Sequence, residues 1–201
     1  MGSETIQEDS DLNTYSLACD YIKFKLMKSG YNWETCPPLP MPSTLRLCLR
    51  SLAEDLEEDY RSTFGAMTED LNMISASSAK ATFFGVTEEL FFEGITWSRI
   101  VALFAFGGVL CQKCVSQGAP QLVDQVPYWI KMYVDTRLSS WMAENGGWNG
   151  FMAHFGKILS IDVTRTWRFD YIHKLLFSFG TVCAAVALSL MLIHHRCERQ
   201  S

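Results

Sequence analysis

The residue types able to do covalent or metal chemistry are seven cysteines and four histidines. Cys111 and Cys114 form a Cys-x-x-Cys, the spacing of a redox pair or of half a zinc site. No second pair accompanies them, and they sit in an apolar helical run, where two buried core cysteines are the simpler reading. Cys19, Cys36, Cys48, Cys183 and Cys197 follow no disulfide-framework pattern. The opening MGSETIQEDSD is polar and acidic rather than a signal peptide, so reduced thiols facing the cytosol are expected. Ile6 stands where a myristoylation signal needs Ser or Thr. His154, His173, His194 and His195 form no nucleophile or ligand pattern with the cysteines or acids, and no glycine-rich phosphate loop exists. An enzyme, a metal site and a cofactor are therefore not expected. A net charge of −5 gives a nucleic-acid partner no electrostatic support.

What the spacing does support is helix packing and helix recognition. Leu45, Leu49, Leu52, Leu56 and Tyr60 recur at i, i+4, i+7, i+11 and i+15, one continuous apolar stripe on a helix that Ser43 or Thr44 can cap. Its other face carries Arg46, Arg50, Glu54, Glu57 and Glu58. Upstream, Leu17, Tyr21 and Phe24 mark a helix over about residues 12–29 that Gly30 ends. The run Pro37–Pro42 is a stiff extended linker. A helix over 79–92 follows. Next comes a helix at 97–114, capped by Thr96 or Ser98, whose stretch Ile100–Cys111 is apolar on every side. Those 12 residues are too few to span a bilayer and suit a buried core helix. Gly118 and Pro120 mark a turn. Residues 121–143 read as one amphipathic helix, Asn145-Gly146-Gly147 breaks the chain, and a short helix resumes over 148–155. A last short helix over 160–172 is expected. A central helix apolar all round, wrapped by amphipathic ones, predicts an all-α helical bundle of about residues 12–172, after a flexible acidic segment at 1–11.

Leu175–Ile193 is a different kind of segment. It has 19 residues and no charge, roughly 28 Å as a helix, close to the hydrocarbon thickness of a bilayer. His173, Lys174, His194, His195 and Arg196 flank it. A C-terminal transmembrane anchor over 173–196, inserted after synthesis and followed by a short tail at 197–201, is expected. The modest length and basic flanks fit a mitochondrial outer membrane, with the endoplasmic reticulum left open. A reversible tail that folds back into a groove of the protein itself is the alternative.

Four segments together resemble the Bcl-2 family, in that family's order. YIKFKLMKSGYNW (Tyr21–Trp33) is similar to its fourth homology motif and LRSLAEDLEEDYRSTF (Leu49–Phe64) to its third. ELFFEGITWSRIVALFAFGG (Glu89–Gly108) resembles the first motif and WMAENGGWNGF (Trp141–Phe151) the second. The resemblance implies a Bcl-2-like bundle with a surface groove that receives the amphipathic third-motif helix of pro-apoptotic relatives. Four apolar anchors of such a helix would contribute roughly 1.5–3 kcal/mol apiece before ordering costs. The family's partner helices carry an aspartate that meets an arginine, and Arg99 matches that arginine. Leaving such a charge unpaired in a dry site costs about 2–5 kcal/mol. By position, Leu56, Tyr60, Phe64, Met67, Val86, Leu90, Arg99, Ala102, Phe106 and Phe155 would line the groove. Trp97, Gly94, Gly146, Gly147 and Trp148 would be structural, the glycines turning the chain and Trp148 sealing the bundle. The resemblance leaves room for a homo- or hetero-dimer.

Members of that family either capture partner helices or expose their own third motif and assemble into membrane pores. The chain's own third-motif helix is Leu45, Leu49, Leu52, Ala53, Glu54 and Leu56. Where the family's donor helix reads Gly-Asp, this chain has Ala53-Glu54: one added methyl and a charge one methylene further out. Both changes blunt a donor, so the survival type is the expectation, with the pore-forming type as the alternative. Thr96-Trp97-Ser98-Arg99 stands where the family has Asn-Trp-Gly-Arg, so Ser98 adds bulk where a bound helix comes close.

Overall fold

In this computed structural model residues 13–62, 64–65 and 76–160 are described, with side chains to residue 156. The expected acidic arm at 1–11, Met67, the helix at 160–172 and the tail span at 175–193 lie outside them. Seven α-helices are described: α1 Thr14–Lys28, α2 Thr44–Asp59, α3 Ala76–Leu90, α4 Trp97–Ser116, α5 Val126–Tyr133, α6 Ser139–Glu144 and α7 Gly147–Ser160. No strand occurs among the described residues.

Local chemistry sets the helix ends. Asn13 caps α1 by accepting from the amides of Tyr15 and Ser16, and Ser43 caps α2 by accepting from Arg46 N. Thr96 Oγ1 caps α4 by accepting from Arg99 N, so of the two candidates there the threonine is the cap. Gly30 and Gly118 turn the chain after α1 and α4 with φ of +78° and +75°, a region that favours glycine.

The core forms around α4. Fourteen of its 20 residues are buried, so the apolar run at 100–111 extends into a longer helix than its own length suggested. By length and composition this helix could cross a membrane; in the fold it is the centre, with α1, α2, α3 and α5 packed on it. Adjacent glycines let two of these neighbours come close. A Cβ on Gly107 would lie 2.7 Å from Ile130 Cδ1, and one on Gly108 would lie 2.9 Å from Tyr21 Cε1. A chain of aromatic rings closes one end. Trp97 packs edge-on against Trp141 and Phe151, Trp148 against Phe104 and Phe151, and Phe151 against Phe155.

Two sequence expectations need correction. Residues 121–143 are not one regular α-helix: Pro120–Gln125 is a 3-10 turn, α5 follows, then a π turn at Val134–Leu138, then α6. Pro127 has no N–H to return to the carbonyl four residues back, so the α-helix restarts with that proline in its first turn. The π turn keeps Val134 and Leu138 both in the core while Asp135, Thr136 and Arg137 stay outside. The last described helix, expected over 148–155, runs from Gly147 to Ser160. Gly146 and Gly147 do make the turn before it, at φ of +81° and +59°. A third glycine was not anticipated. A Cβ on Gly150 would stand 1.7 Å from Asn145 O, so only glycine permits this return of the chain.

Candidate helix-binding site

The apolar residues expected along the groove come together. Leu56 on α2, Phe64 just beyond it, Val86 and Leu90 on α3, Ala102 and Phe106 on α4 and Phe155 on α7 are buried members of one core cluster, and the half-buried Tyr60 packs against it. α2 packs on both α4 and α7, α3 packs on α4, and the rings of Phe83 and Phe106 stack at 6.1 Å between centroids. These side chains are enclosed in the fold as it stands. A cleft of about 550 Å³ between α1, α2 and α4 is lined mostly by charged side chains and reaches the expected groove residue Phe64, and a second of about 500 Å³ lies among α1, α2 and the linker residues Leu39, Pro40 and Pro42; neither is lined by Arg99.

Arg99 sits in the first turn of α4, and its side chain folds back over the turn that joins α3 to α4. Nη1 donates to Gly94 O at 2.7 Å and Nη2 pairs with Glu93 Oε2 at 2.6 Å. The Arg99 side chain is 9% exposed while that of Glu93 is 50% exposed. The carboxylate facing this arginine is thus one on the rim, not one sealed in the core. Gly94, at φ +112°, provides the bend that aims its carbonyl at the guanidinium. Phe91 anchors the same turn by stacking on Tyr133 at 5.5 Å, and Phe92 projects into solvent.

Of the residues expected to be structural, Trp97 and Trp148 are buried in the aromatic seal. The chain's own third-motif helix is the fuller surprise. Its apolar stripe is buried at Leu45, Leu49, Leu52, Ala53 and Leu56. Most of its charged face, which a charge run would ordinarily turn to water, is pressed against α1, with Glu58 left exposed. Arg46 is 0% exposed, donating to Ser16 O at 3.1 Å and to Ser16 Oγ at 2.8 Å, with Asp20 3.6 Å away. Arg50 grips the same Asp20 with two bonds of 2.9 and 2.7 Å. Further along, Glu57 accepts from the Tyr21 hydroxyl and pairs with Lys25, and Glu54 pairs with Lys28. Burial pushes the Glu57 carboxyl upward, a trend that the bonds from Lys25 and Tyr21 oppose. The signal for this clamp was present: basic residues at 46 and 50 answer Asp20, and acids at 54 and 57 answer Lys28 and Lys25.

Burial also drives the Cys111 thiol well above its ordinary range and the Cys114 thiol to about 11, which disfavours the thiolate that redox or zinc chemistry needs. No group of three or more potential metal ligands occurs among the described residues.

Comparison with known proteins adds to this geometry. Residues 49–148 match the family described as apoptosis regulator proteins, Bcl-2 family. The protein named apoptosis regulator Bcl-2 from Cricetulus griseus is 35% identical over 156 residues, covering 77% of this chain and 64% of its own length. Human Bcl-2-like protein 1 is 36% identical over 118 residues, 59% of this chain and 50% of that protein. The chain therefore spans less than two thirds of the length of these relatives. Among solved structures, Trichoplax adhaerens trBcl-2L2 bound to trBak BH3 superposes with a TM-score of 0.64 at 32% identity, over 73% of this chain and 99% of that one. Chicken BOK superposes with a TM-score of 0.63 at 24% identity, over 73% and 97% of the two chains, a likeness of fold.

Proposed function

This chain belongs to the Bcl-2 family of apoptosis regulators, and from that membership we propose that it captures the amphipathic third-motif helix of pro-apoptotic relatives and so restrains permeabilisation of the mitochondrial outer membrane. The observation that carries the proposal is Arg99. Its largely buried side chain lies in the first turn of α4, the helix at the centre of the apolar cluster, paired with the half-exposed carboxylate of Glu93. Leu56, Tyr60, Phe64, Met67, Val86, Leu90, Ala102, Phe106 and Phe155 supply the apolar bed and Arg99 the partner for an acid on the incoming helix. Regulation by binding, without catalysis, is part of this reading. The Trichoplax relative, solved with a BH3 segment in place, supports it by analogy.

The restraining role is favoured over pore formation by the state of the chain's own third-motif helix. A donor must present its apolar stripe, whereas here that stripe is buried and the opposite face is tied to α1 by Asp20, Lys25 and Lys28. Ala53, fully buried, adds the methyl that a glycine would omit. Residues 173–196 serve as the membrane anchor in this proposal, with the helical domain at 12–172 facing the cytosol.

The test uses the full chain in lipid nanodiscs and a peptide carrying a pro-apoptotic third motif. A Kd below about 1 µM, weakened by at least roughly tenfold in Arg99→Ala, is expected. No binding up to about 100 µM sinks the groove. Added to dye-filled liposomes with a Bax-type pore former, the chain should suppress leakage; leakage caused by the chain itself would reverse the assignment of role.

A further inference from the structure

We infer that Glu93 is a tethered competitor for the partner's acid, so that capture of a helix proceeds by exchange of one carboxylate for another at Arg99. This rests on the groove reading above and concerns the regulation of that same site. The two residues lie six apart in sequence, joined through the bend at Gly94, and Nη1 of Arg99 donates to the Gly94 carbonyl while Nη2 donates to Glu93. The carbonyl contact fixes where the guanidinium points. The carboxylate contact fills the place toward solvent from which a second acid would approach, since Glu93 is the half-exposed member of the pair. The first turn of α4 adds its partial positive charge at the same spot, which makes the location favourable for any carboxylate. A tether this short holds its acid at an effective concentration in the millimolar range.

Exchange needs little rearrangement. Phe91 pins the turn to Tyr133 and Gly94 keeps its own bond to the arginine, so the Glu93 side chain can rotate outward into water it already meets without moving the turn. A helix with an acid at the right place must displace Glu93 to reach Arg99, whereas a helix without one leaves the resting pair in place, so the competitor acts on acid-bearing helices.

The experiment measures binding of two peptides to the full chain in nanodiscs, as wild type, Glu93→Gln and Glu93→Ala. One peptide carries a single aspartate at the arginine-facing position and no basic residue except solubilising lysines at one end; the other has asparagine there. The aspartate peptide should bind both variants about threefold to tenfold more tightly than wild type, equivalent to roughly 0.6–1.4 kcal/mol. The asparagine peptide should gain less than about twofold. Because Gln can still donate or accept at the turn, Glu93→Ala should show the larger gain. Equal affinities of wild type and both variants for the aspartate peptide, or weaker binding by the variants, overturns the competitor and leaves the groove intact. If neither peptide binds any of the three proteins, the groove reading falls and the competitor with it.

Discussion

Replacing Asp20 with alanine should destabilise the domain by about 3–5 kcal/mol, the range observed when one partner of a buried ion pair is removed. The structure sets both the size and its source. Asp20 is 3% exposed and stands between two arginines of α2. Arg50 is partly exposed, and in the variant its guanidinium can turn to water and regain hydration. Arg46 has no such route: it is wholly buried, bonded to both oxygens of Ser16 and 3.6 Å from Asp20, so water cannot take the place of the carboxylate that the variant removes. Most of the loss therefore belongs to Arg46. Replacing both residues together, as Asp20→Ala with Arg46→Met, should recover more than about half of the loss, since the second change removes the buried charge that Asp20 had answered. Asp20→Asn, which keeps an acceptor oxygen, should fall between wild type and alanine. Guanidinium unfolding followed by fluorescence and circular dichroism measures all four proteins at a common slope. A loss below about 1 kcal/mol for Asp20→Ala, or a double variant no more stable than the single one, would refute the argument that a buried charge on α2 depends on α1.

Three further outcomes are expected. Gly150→Ala should lower stability by about 3 kcal/mol or more, because its Cβ meets the Asn145 carbonyl carbon at 2.8 Å and the oxygen closer still; a thermal midpoint unchanged from wild type would contradict this. The Glu57 carboxyl titrates higher in the fold than in the unfolded chain, so the folded state holds its proton longer. Its contribution to stability thus declines as pH rises through the interval from the unfolded to the folded value, and the stability of Glu57→Gln relative to wild type should increase over that interval; parallel pH profiles would exclude it. A peptide of residues 44–60 carrying Ala53→Gly and Glu54→Asp should bind a survival-type relative roughly tenfold more tightly than the unaltered peptide in a competition assay, and equal affinities would remove that argument about donor strength.

The helical scaffold was legible because its signals are local. Caps at Ser43 and Thr96, the stop at Gly30 and the apolar run of α4 act within one or two turns, and helix ends fall within a few residues of expectation. What escaped depends on distant neighbours. Nothing near Arg46 in sequence announces that it is buried, since the reason is Asp20, 26 residues earlier on another helix. Gly150 reads as an ordinary helix residue until the carbonyl of Asn145 arrives over it. The segmentation of 120–144 turned on Pro127, which the apolar periodicity around it concealed. At the candidate site, Arg99 was found through its motif, whereas its partner Glu93 emerged only when the bend at Gly94 was seen to bring the two together.

The aromatic seal gives the protein a reporter of its own. Three of its six tryptophans, Trp97, Trp141 and Trp148, gather where α4, α6 and α7 meet, and Trp97 precedes Arg99 by two residues. Indole emission responds to the polarity and charge of its surroundings, so a helix arriving at the arginine would shift the spectrum without any dye attached. Substituting the more distant Trp33 and Trp129 by phenylalanine would simplify that signal, provided the fold tolerates losing the Trp33 bond to Asp124 and the Trp129 contact with Phe83.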